Sequence, residues 1–275
     1  DSANFVVTGS WSQKSYQEAA KYCRPVLSAQ RNPDNLEWAN TSTWHLSDTA
    51  AYTHICSNET IDGVEFQELP DLLALGHESP LVIDCSSHIG SRSINWNLVG
   101  CAFAGAQKNI GPAGLTVVII REDLLGRSLA TCPSAFNYST VAKANSMFNT
   151  PPTYSIYMAG KVFEWMKKQG GVEALEQAAI AKSQLLYNFI DQSEIFYNPI
   201  DLAWRSRMNV PFFIHERAGG QERCNEFVYL AKSAGLLQLK GHSSVGGLRA
   251  SIYNAMPLEG VQALVEFMRH FEARS

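Results

Sequence analysis

Short apolar runs alternate with amphipathic segments along most of this 275-residue chain, and this alternation constrains the fold more than any other feature. Leu81-Val82-Ile83 is apolar throughout, as in a strand that is buried on both faces of a parallel or mixed sheet. Cys101 to Ala104 and Leu115 to Ile120 repeat the pattern, and turns rich in Gly and Pro separate the runs. The alternation predicts an α/β fold.

An amphipathic helix opens the second half of the chain. Its apolar stripe consists of Met158, Val162, Phe163 and Met166. Gly170-Gly171 is predicted to end this helix. We expect a boundary near Lys168, which gives a large sheet-rich domain over residues 1–168 and a smaller α+β domain over 169–275.

Two local signals predict finer detail. Ser12 is predicted as the N-cap of a helix that runs to about Tyr22. Met208 to Ile214 has the composition of a strand, but Pro211 within it cannot donate a ladder hydrogen bond. We therefore expect that strand to lie at a sheet edge or to contain a bulge.

The composition is that of a folded protein with a sizeable core. Apolar residues make up 45% of the chain and charged residues 17%, which excludes a disordered or fibrous protein. The 22 Lys and Arg against 26 Asp and Glu give a formal net charge of -4, so no basic surplus indicates a nucleic-acid partner. The apolar runs are too short to span a bilayer. We expect neither nucleic acid nor membrane as a partner.

The cysteines and histidines indicate no metal site. The six cysteines include no C-x-x-C pair, and the seven histidines are scattered without ligand spacing. We predict buried, reduced thiols, no metal and a cytoplasmic location.

Common catalytic motifs are missing from the sequence. It contains no G-x-S-x-G, no G-x-x-x-x-G-K-[ST], no H-E-x-x-H and no G-x-G-x-x-G. Hydrolase, P-loop and metalloprotease functions therefore lose their usual support.

Lys108 is the first candidate for chemistry. It follows an apolar run and lies in a loop of small residues, from Ala104 to Gly114. Small neighbours allow a planar ligand to approach the backbone, and partial burial lowers the pKa of an amine toward nucleophilic use. From spacing alone, a solvated loop lysine beside turn-forming glycines is the commoner explanation.

Asp84 is the second candidate, at the carboxyl end of the apolar run 81–83. Ligands of open α/β sheets bind at that end of the strands. Asp84 could hold the cationic ring nitrogen that a pyridoxal phosphate electron sink requires. The alternative is a helix N-cap or a loop hydrogen bond. Lys108 and Asp84 on neighbouring strand ends together indicate a pyridoxal phosphate site more specifically than either residue does alone.

Several longer segments resemble the phosphoserine aminotransferase family, which belongs to the class-V aminotransferases. The resemblance runs essentially from end to end and includes 58–63 (NETIDG), 84–87 (DCSS), 104–114 (AGAQKNIGPAG), 147–153 (MFNTPPT), 206–211 (SRMNVP), 240–242 (KGH), 245–247 (VGG) and 249–257 (RASIYNAMP). It implies a fold type I enzyme that uses pyridoxal 5'-phosphate, with a mixed, mostly parallel sheet in a large cofactor-binding domain. It also implies a homodimer with shared active sites. The implied reaction moves an amino group between glutamate and 3-phosphohydroxypyruvate in L-serine biosynthesis.

The resemblance assigns two catalytic residues. Lys108 would bond covalently to the cofactor and would then move the proton between the substrate Cα and the cofactor. Asp84 would pair with the pyridinium nitrogen and keep it protonated.

The resemblance also assigns residues that hold the cofactor. Trp11 would stack on the ring, although an ordinary core tryptophan is the alternative. Thr60 would hydrogen-bond near the phenolic oxygen, and Gln107 would help to hold the phosphate. Asn149 and Thr150 would reach the cofactor phosphate of the partner subunit.

Substrate binding needs cations, because both amino donors are dianionic acids. Arg249 is the candidate for a bidentate clamp on the α-carboxylate, with a surface ion pair as the alternative. His242 would help at the distal phosphate or side-chain carboxylate. The family usually has His-Arg where this chain has His242-Ser243, so recognition of a phosphorylated substrate is in question.

The family's N-terminal part has no counterpart in this sequence. That part supplies a glycine-containing loop for the cofactor phosphate, and we expect this chain to come from a longer parent. Two alternatives remain open: an aminotransferase for a non-phosphorylated amino acid, and a non-catalytic fragment of the family.

Overall fold

The first half of the chain builds a six-stranded mixed sheet in the computed structural model, which describes residues 1–32 and 37–274. Its strands are β1 (Ser2–Val7), β2 (Arg24–Gln30), β3 (Ala50–Cys56), β4 (Leu81–Asp84), β5 (Val99–Gly105) and β6 (Thr116–Ile120). They lie in the order β2-β1-β3-β4-β5-β6. All neighbours pair in parallel except β6, which is antiparallel to β5. The predicted α/β fold with a mixed, mostly parallel sheet is confirmed.

One face of this sheet carries the larger part of its core. Side chains alternate between faces along a strand, so Val6, Ile55 and Ile83 lie on the same side. They pack with Val64, Phe66 and further residues into one buried cluster. The strands read as apolar runs because both faces of their middle portions are covered.

A second, three-stranded sheet lies in the C-terminal part. It consists of β7 (Phe196–Tyr197), β8 (Asn209–Ile214) and β9 (Leu248–Ser251), all antiparallel in the order β7-β8-β9. The α-helices of the described residues are α1 (Ser10–Ala19), α2 (Tyr138–Lys143), α3 (Thr153–Lys168), α4 (Gly171–Gln192), α5 (Gly220–Ser233) and α6 (Leu258–Glu272). The second sheet forms a separate core with α4, α5 and α6, in which Phe212, Phe227 and Met268 are fully buried.

The beginning of α1 differs from the prediction. Ser12 lies inside the helix, and the N-cap position is Gly9, which has no side chain that could cap. The free N–H groups instead bind two carboxylates that are distant in sequence, those of Glu59 and Asp62. The prediction was wrong because a local Ser gives the same sequence signal as a true N-cap.

The predicted stripe on α3 is only partly in the core. Met166 is buried, whereas Phe163 is exposed, as are Tyr154 and Tyr157 in the same helix. The apolar pattern of this helix therefore covers a surface as well as a core contact.

Pro211 lies in β8, the middle strand of its sheet, so an edge position was the wrong prediction. The strand tolerates proline because β7 pairs only with Phe213 and Ile214. Where β7 does not reach Pro211, a side chain takes the place of the strand: Asn198 Nδ2 donates to the Pro211 carbonyl at 2.6 Å.

All six cysteines are free thiols, as predicted, but Cys23 and Cys132 are only partly buried. No helix among the described residues has the length and apolar character needed to cross a membrane.

Candidate active site

A cavity of about 130 Å³ opens at the carboxyl ends of the parallel strands. It is lined by Trp11, Cys56, Asn58, Thr60, Asp84, Ser86, Ser87, Gln107 and Lys108. These residues follow or end β1, β3, β4 and β5, whose carboxyl ends meet at one edge of the sheet. This is the edge where open α/β sheets bind their ligands.

Lys108 lies in a tight turn directly after β5. The turn is closed by the Ala106 carbonyl, which accepts hydrogen bonds from Ile110 N and Gly111 N at 3.1 and 2.8 Å. Lys108 Nζ donates to Thr60 Oγ1 at 2.5 Å. Burial lowers the pKa of Lys108, while the charge of Asp84 acts in the opposite direction. The amine is therefore held half-buried and loses its proton more readily than a surface lysine.

The small residues around Lys108 also allow close packing against α3. Ala106 is fully buried, and a Cβ added at Gly111 would lie 3.1 Å from the Ala159 Cβ of α3. Small side chains let the turn pack against α3, and that packing fixes the backbone of Lys108.

Asp84 ends β4 between Cys56 of β3 and Phe103 of β5. Its Oδ1 accepts hydrogen bonds from Ser86 N at 2.9 Å and from Ser86 Oγ at 2.6 Å. Oδ2 has no hydrogen-bond partner among the described residues, and Asp84 lines the cavity. The carboxylate is thus oriented by one oxygen and offers the other.

A buried Ser–His pair supports the backbone of Asp84. Ser57 N and Oγ both donate to the Asp84 carbonyl, at 3.0 and 2.9 Å. Ser57 Oγ also lies 2.6 Å from His88 Nε2. Burial holds the pKa of His88 well below its ordinary value, so the ring is neutral.

The structure brings most of the predicted residues together. Trp11, Thr60 and Gln107 line the same cavity as Lys108 and Asp84, and the Trp11 ring centroid lies 5.6 Å from Lys108 Nζ. Trp11 is 39% exposed, which excludes an ordinary core tryptophan.

Arg249 lies next to the cavity. Its Nη1 is 3.5 Å from the carbonyl of Thr60, and among the described residues it forms no ion pair. The alternative role for Arg249, a surface ion pair, is therefore not found among the described residues.

Besides Arg249, three more predicted residues lie outside the cavity wall. His242 binds Ser244 Oγ through Nδ1 at 2.7 Å and is partly exposed, while Asn149 and Thr150 are exposed in the segment before α3. Within one chain, these side chains do not line the cavity.

Sequence reasoning missed four lining residues: Cys56, Asn58, Ser86 and Ser87. They flank the ends of β3 and β4, so the position of Asp84 could have indicated them. The side-chain nitrogen and oxygen of Asn58 are buried without a partner among the described residues. Such atoms are costly unless a bound molecule satisfies them.

A half-buried lysine, an oriented carboxylate and an indole wall at parallel strand ends define the site of an enzyme that uses pyridoxal phosphate. The family comparison agrees, since the model of "Aminotransferase class-V" matches residues 1–264. The chain belongs to the class-V aminotransferase family.

Close relatives of this chain share one name. The phosphoserine aminotransferase of Albidiferax ferrireducens is 60% identical over 99% of this chain and 73% of the relative. That of Polaromonas sp. is 54% identical, over 99% of this chain and 75% of the relative.

Solved structures show the same fold. Phosphoserine aminotransferase from Bacillus circulans subsp. alkalophilus superposes with a TM-score of 0.93 at 42% identity, covering 100% of this chain and 75% of that one. The pyridoxal-phosphate-bound enzyme of Trichomonas vaginalis gives a TM-score of 0.90 at 42% identity, over 98% and 75%. The chain thus spans about three quarters of the length of these relatives.

Proposed function

We propose that the protein is a phosphoserine aminotransferase, which moves an amino group between glutamate and 3-phosphohydroxypyruvate in L-serine biosynthesis by a ping-pong mechanism. The observation that carries the proposal is the placement of Lys108 and Asp84 in one cavity, at the strand ends of a class-V aminotransferase fold. The names of the relatives support the substrate class.

The cavity fits pyridoxal phosphate. Lys108 would attach the cofactor, Asp84 Oδ2 would face the ring nitrogen, and Trp11 would cover a ring face. Thr60 and Gln107 would bind the polar substituents. When bound, the cofactor supplies a carbonyl carbon for the amino group and a ring that accepts electrons from the substrate Cα.

Lys108 is suited to moving a proton. Its burial lowers the pKa of the amine, and Thr60 Oγ1 holds Nζ in the cavity. A lysine poised in this way takes a proton from Cα and returns it as general base and acid. The negative charge of nearby Asp84 raises the pKa of Lys108 and so stabilises the protonated amine against the effect of burial.

Arg249 would bind the substrate carboxylate. It lies on β9 beside Thr60 and has no ion-pair partner in the described part of the chain, so its guanidinium is available for a bidentate contact. We place His242 nearer the distal group of the substrate.

A homodimer with shared sites is part of the proposal. Exposed apolar side chains are concentrated between residues 136 and 163: Phe136, Tyr138, Met147, Phe148, Tyr154, Ile156, Tyr157 and Phe163. Such a concentration is typical of a protein interface. Asn149 and Thr150 lie within this surface, which supports their assignment to the cofactor phosphate of the partner subunit.

The location and the domain division also remain proposals. Free thiols at all six cysteines support the reducing cytoplasm. The separate cores of the two sheets support a division near Lys168, with the cofactor bound mainly by residues 1–168.

Ser243 favours a second candidate, an aminotransferase for a non-phosphorylated amino acid. Turnover of phosphoserine should be compared with that of serine and alanine by the purified protein with added pyridoxal phosphate. The proposed function predicts strong preference for phosphoserine. Equal rates would contradict it and favour the second candidate, and no turnover with no bound cofactor would favour a non-catalytic fragment.

A further inference from the structure

Glu59 holds the beginning of α1 with a side chain that is fully buried. Its Oε2 accepts a hydrogen bond from Trp11 N at 2.9 Å. Its Oε1 accepts two, from Ser12 N at 2.9 Å and from Ser12 Oγ at 2.5 Å. Gly9 makes room for this contact, since a Cβ there would lie 2.7 Å from Glu59 Cδ.

The backbone of Glu59 is fixed as well. Its N–H donates to the Val64 carbonyl at 2.7 Å, and its carbonyl accepts from Gly63 N at 2.9 Å. The next residue is Thr60, whose hydroxyl accepts the hydrogen bond from Lys108. Glu59 therefore connects two walls of the cavity: Trp11 through its side chain and Thr60 through the chain itself.

A simple capping role does not account for this arrangement. Helix N-termini are normally capped by a short polar side chain at the N-cap position, at no burial cost. Here a carboxylate 48 residues away in sequence is buried instead. Burying a carboxylate is costly, and burial accordingly raises the pKa of Glu59 to about 7. Asp62 already supplies a cap, since its Oδ2 accepts from Ser10 N at 2.7 Å.

We propose that Glu59 is a positioning residue that fixes the Trp11 ring relative to Thr60 and Lys108. The inference rests on the proposed function, in which Trp11 covers the cofactor ring. It assigns Glu59 no contact with the cofactor; its effect passes through Trp11.

The test substitutes Glu59→Gln, which keeps the shape of the side chain. One acceptor oxygen becomes an amide NH2 group that opposes the N–H donors of α1. Three quantities are measured: hydrogen exchange at the amides of Trp11 and Ser12 without cofactor, the dissociation constant of pyridoxal phosphate from absorbance titration, and the melting temperature. We expect faster exchange at both amides and about tenfold weaker cofactor binding.

Two controls separate positioning from loss of stability. Leu264→Ala in the core of the second sheet should lower the melting temperature without changing cofactor affinity. In a Trp11→Ala background, Glu59→Gln should change cofactor affinity less than twofold, because the wall that it positions is gone. Ser12→Ala is the second variant if Glu59→Gln fails to fold. It removes the hydroxyl that donates to Glu59 Oε1 and accepts from Thr8 N and Gly9 N, but it keeps the Glu59 carboxylate and both backbone N–H donors of α1. It should accelerate exchange at the same two amides and weaken binding by a smaller factor.

Two results would overturn the inference. The first is cofactor affinity within twofold of wild type in Glu59→Gln despite accelerated exchange, which would leave only a helix cap. The second is an equal loss of affinity with Trp11 present and absent. Wild-type protein that binds the cofactor but does not turn over phosphoserine would refute the proposed function and leave this test intact.

Discussion

Replacement of Lys182 by Met is expected to destabilise the protein strongly, although Lys182 lies outside the cavity. Lys182 is 3% exposed in α4. Its Nζ donates to the carbonyls of Ile252, Tyr253 and Met256 at 3.0, 2.8 and 2.9 Å. The ammonium thus uses all three donors on the segment that follows β9.

The expected magnitude follows from those contacts. Met has a similar stem but no donor, so three carbonyls lose their partner. Each costs about 1–3 kcal/mol when left buried and unpaired, and removal of the buried charge offsets part of the sum. We expect a loss of about 3 kcal/mol in the free energy of unfolding, or about 6–12 °C in melting temperature for a chain of this size.

The consequence should reach the active site. Asn254, within the same segment, donates through its backbone N–H to Asn109 Oδ1 at 2.9 Å, and Asn109 adjoins Lys108. A loosened segment therefore leaves the turn that holds Lys108 with one contact fewer.

Equilibrium unfolding in urea measures this prediction directly. Lys161→Met is the matched control, because Lys161 is an exposed lysine of α3 whose ion pair with Glu164, three positions further along the helix, lies at the surface. We expect a change below about 0.5 kcal/mol for the control. A loss below 1 kcal/mol for Lys182→Met would refute the argument from its three hydrogen bonds.

Three further predictions concern the site and its surroundings. Lys108→Ala should abolish transamination and leave the far-ultraviolet circular dichroism unchanged; retained turnover would refute the role of Lys108. Burial lowers the pKa of His54 from its ordinary 6.5 to about 4, so the unfolded chain binds a proton at this ring more readily than the folded protein does. The free energy of unfolding should therefore fall by about 3 kcal/mol as the pH falls from 6.5 to 4. Burial raises the pKa of Glu59 to about 7 against 4.5, so stability rises as pH falls from 7 to 4.5. Relative to wild type, unfolding measured from pH 7 to 4.5 should therefore show a smaller loss of stability on acidification in His54→Phe and a larger loss in Glu59→Gln; slopes equal to the wild-type slope would contradict both assignments. Ser243→Arg should lower KM for phosphoserine about tenfold and leave serine unaffected, which steady-state kinetics can measure; an unchanged KM would remove position 243 from the phosphate site.

The parts of the site that follow apolar runs could be predicted from the sequence. Asp84 ends such a run and Lys108 follows another, and the carboxyl ends of parallel strands meet at one edge. Their proximity therefore follows from the strand pattern and the parallel pairing.

Buried charges could not be predicted in the same way. From the sequence, Glu59 and Lys182 are expected to be solvent-exposed, because charged side chains usually are. The partners that bury them are 47 to 74 residues away in sequence. No local pattern records such contacts. Ser12, which was predicted as the N-cap, lies one turn later, where its hydroxyl accepts from Thr8 N and Gly9 N and donates to Glu59.

Amphipathic periodicity has a related limit. The stripe on α3 correctly marks a helix, yet it does not separate core from surface: Met166 is buried and Phe163 is exposed. A helix that faces a partner has the same period as one that faces the core.

The absorbance of the purified protein with pyridoxal phosphate tests the central claim most directly. Spectra of wild type and Lys108→Ala are recorded in the near-visible range, before and after glutamate is added. Wild type should show a yellow band that bleaches with glutamate and returns with 3-phosphohydroxypyruvate, and Lys108→Ala should not give this cycle. A wild-type protein that stays colourless, or a band that glutamate does not change, would contradict the claim that this cavity carries out transamination.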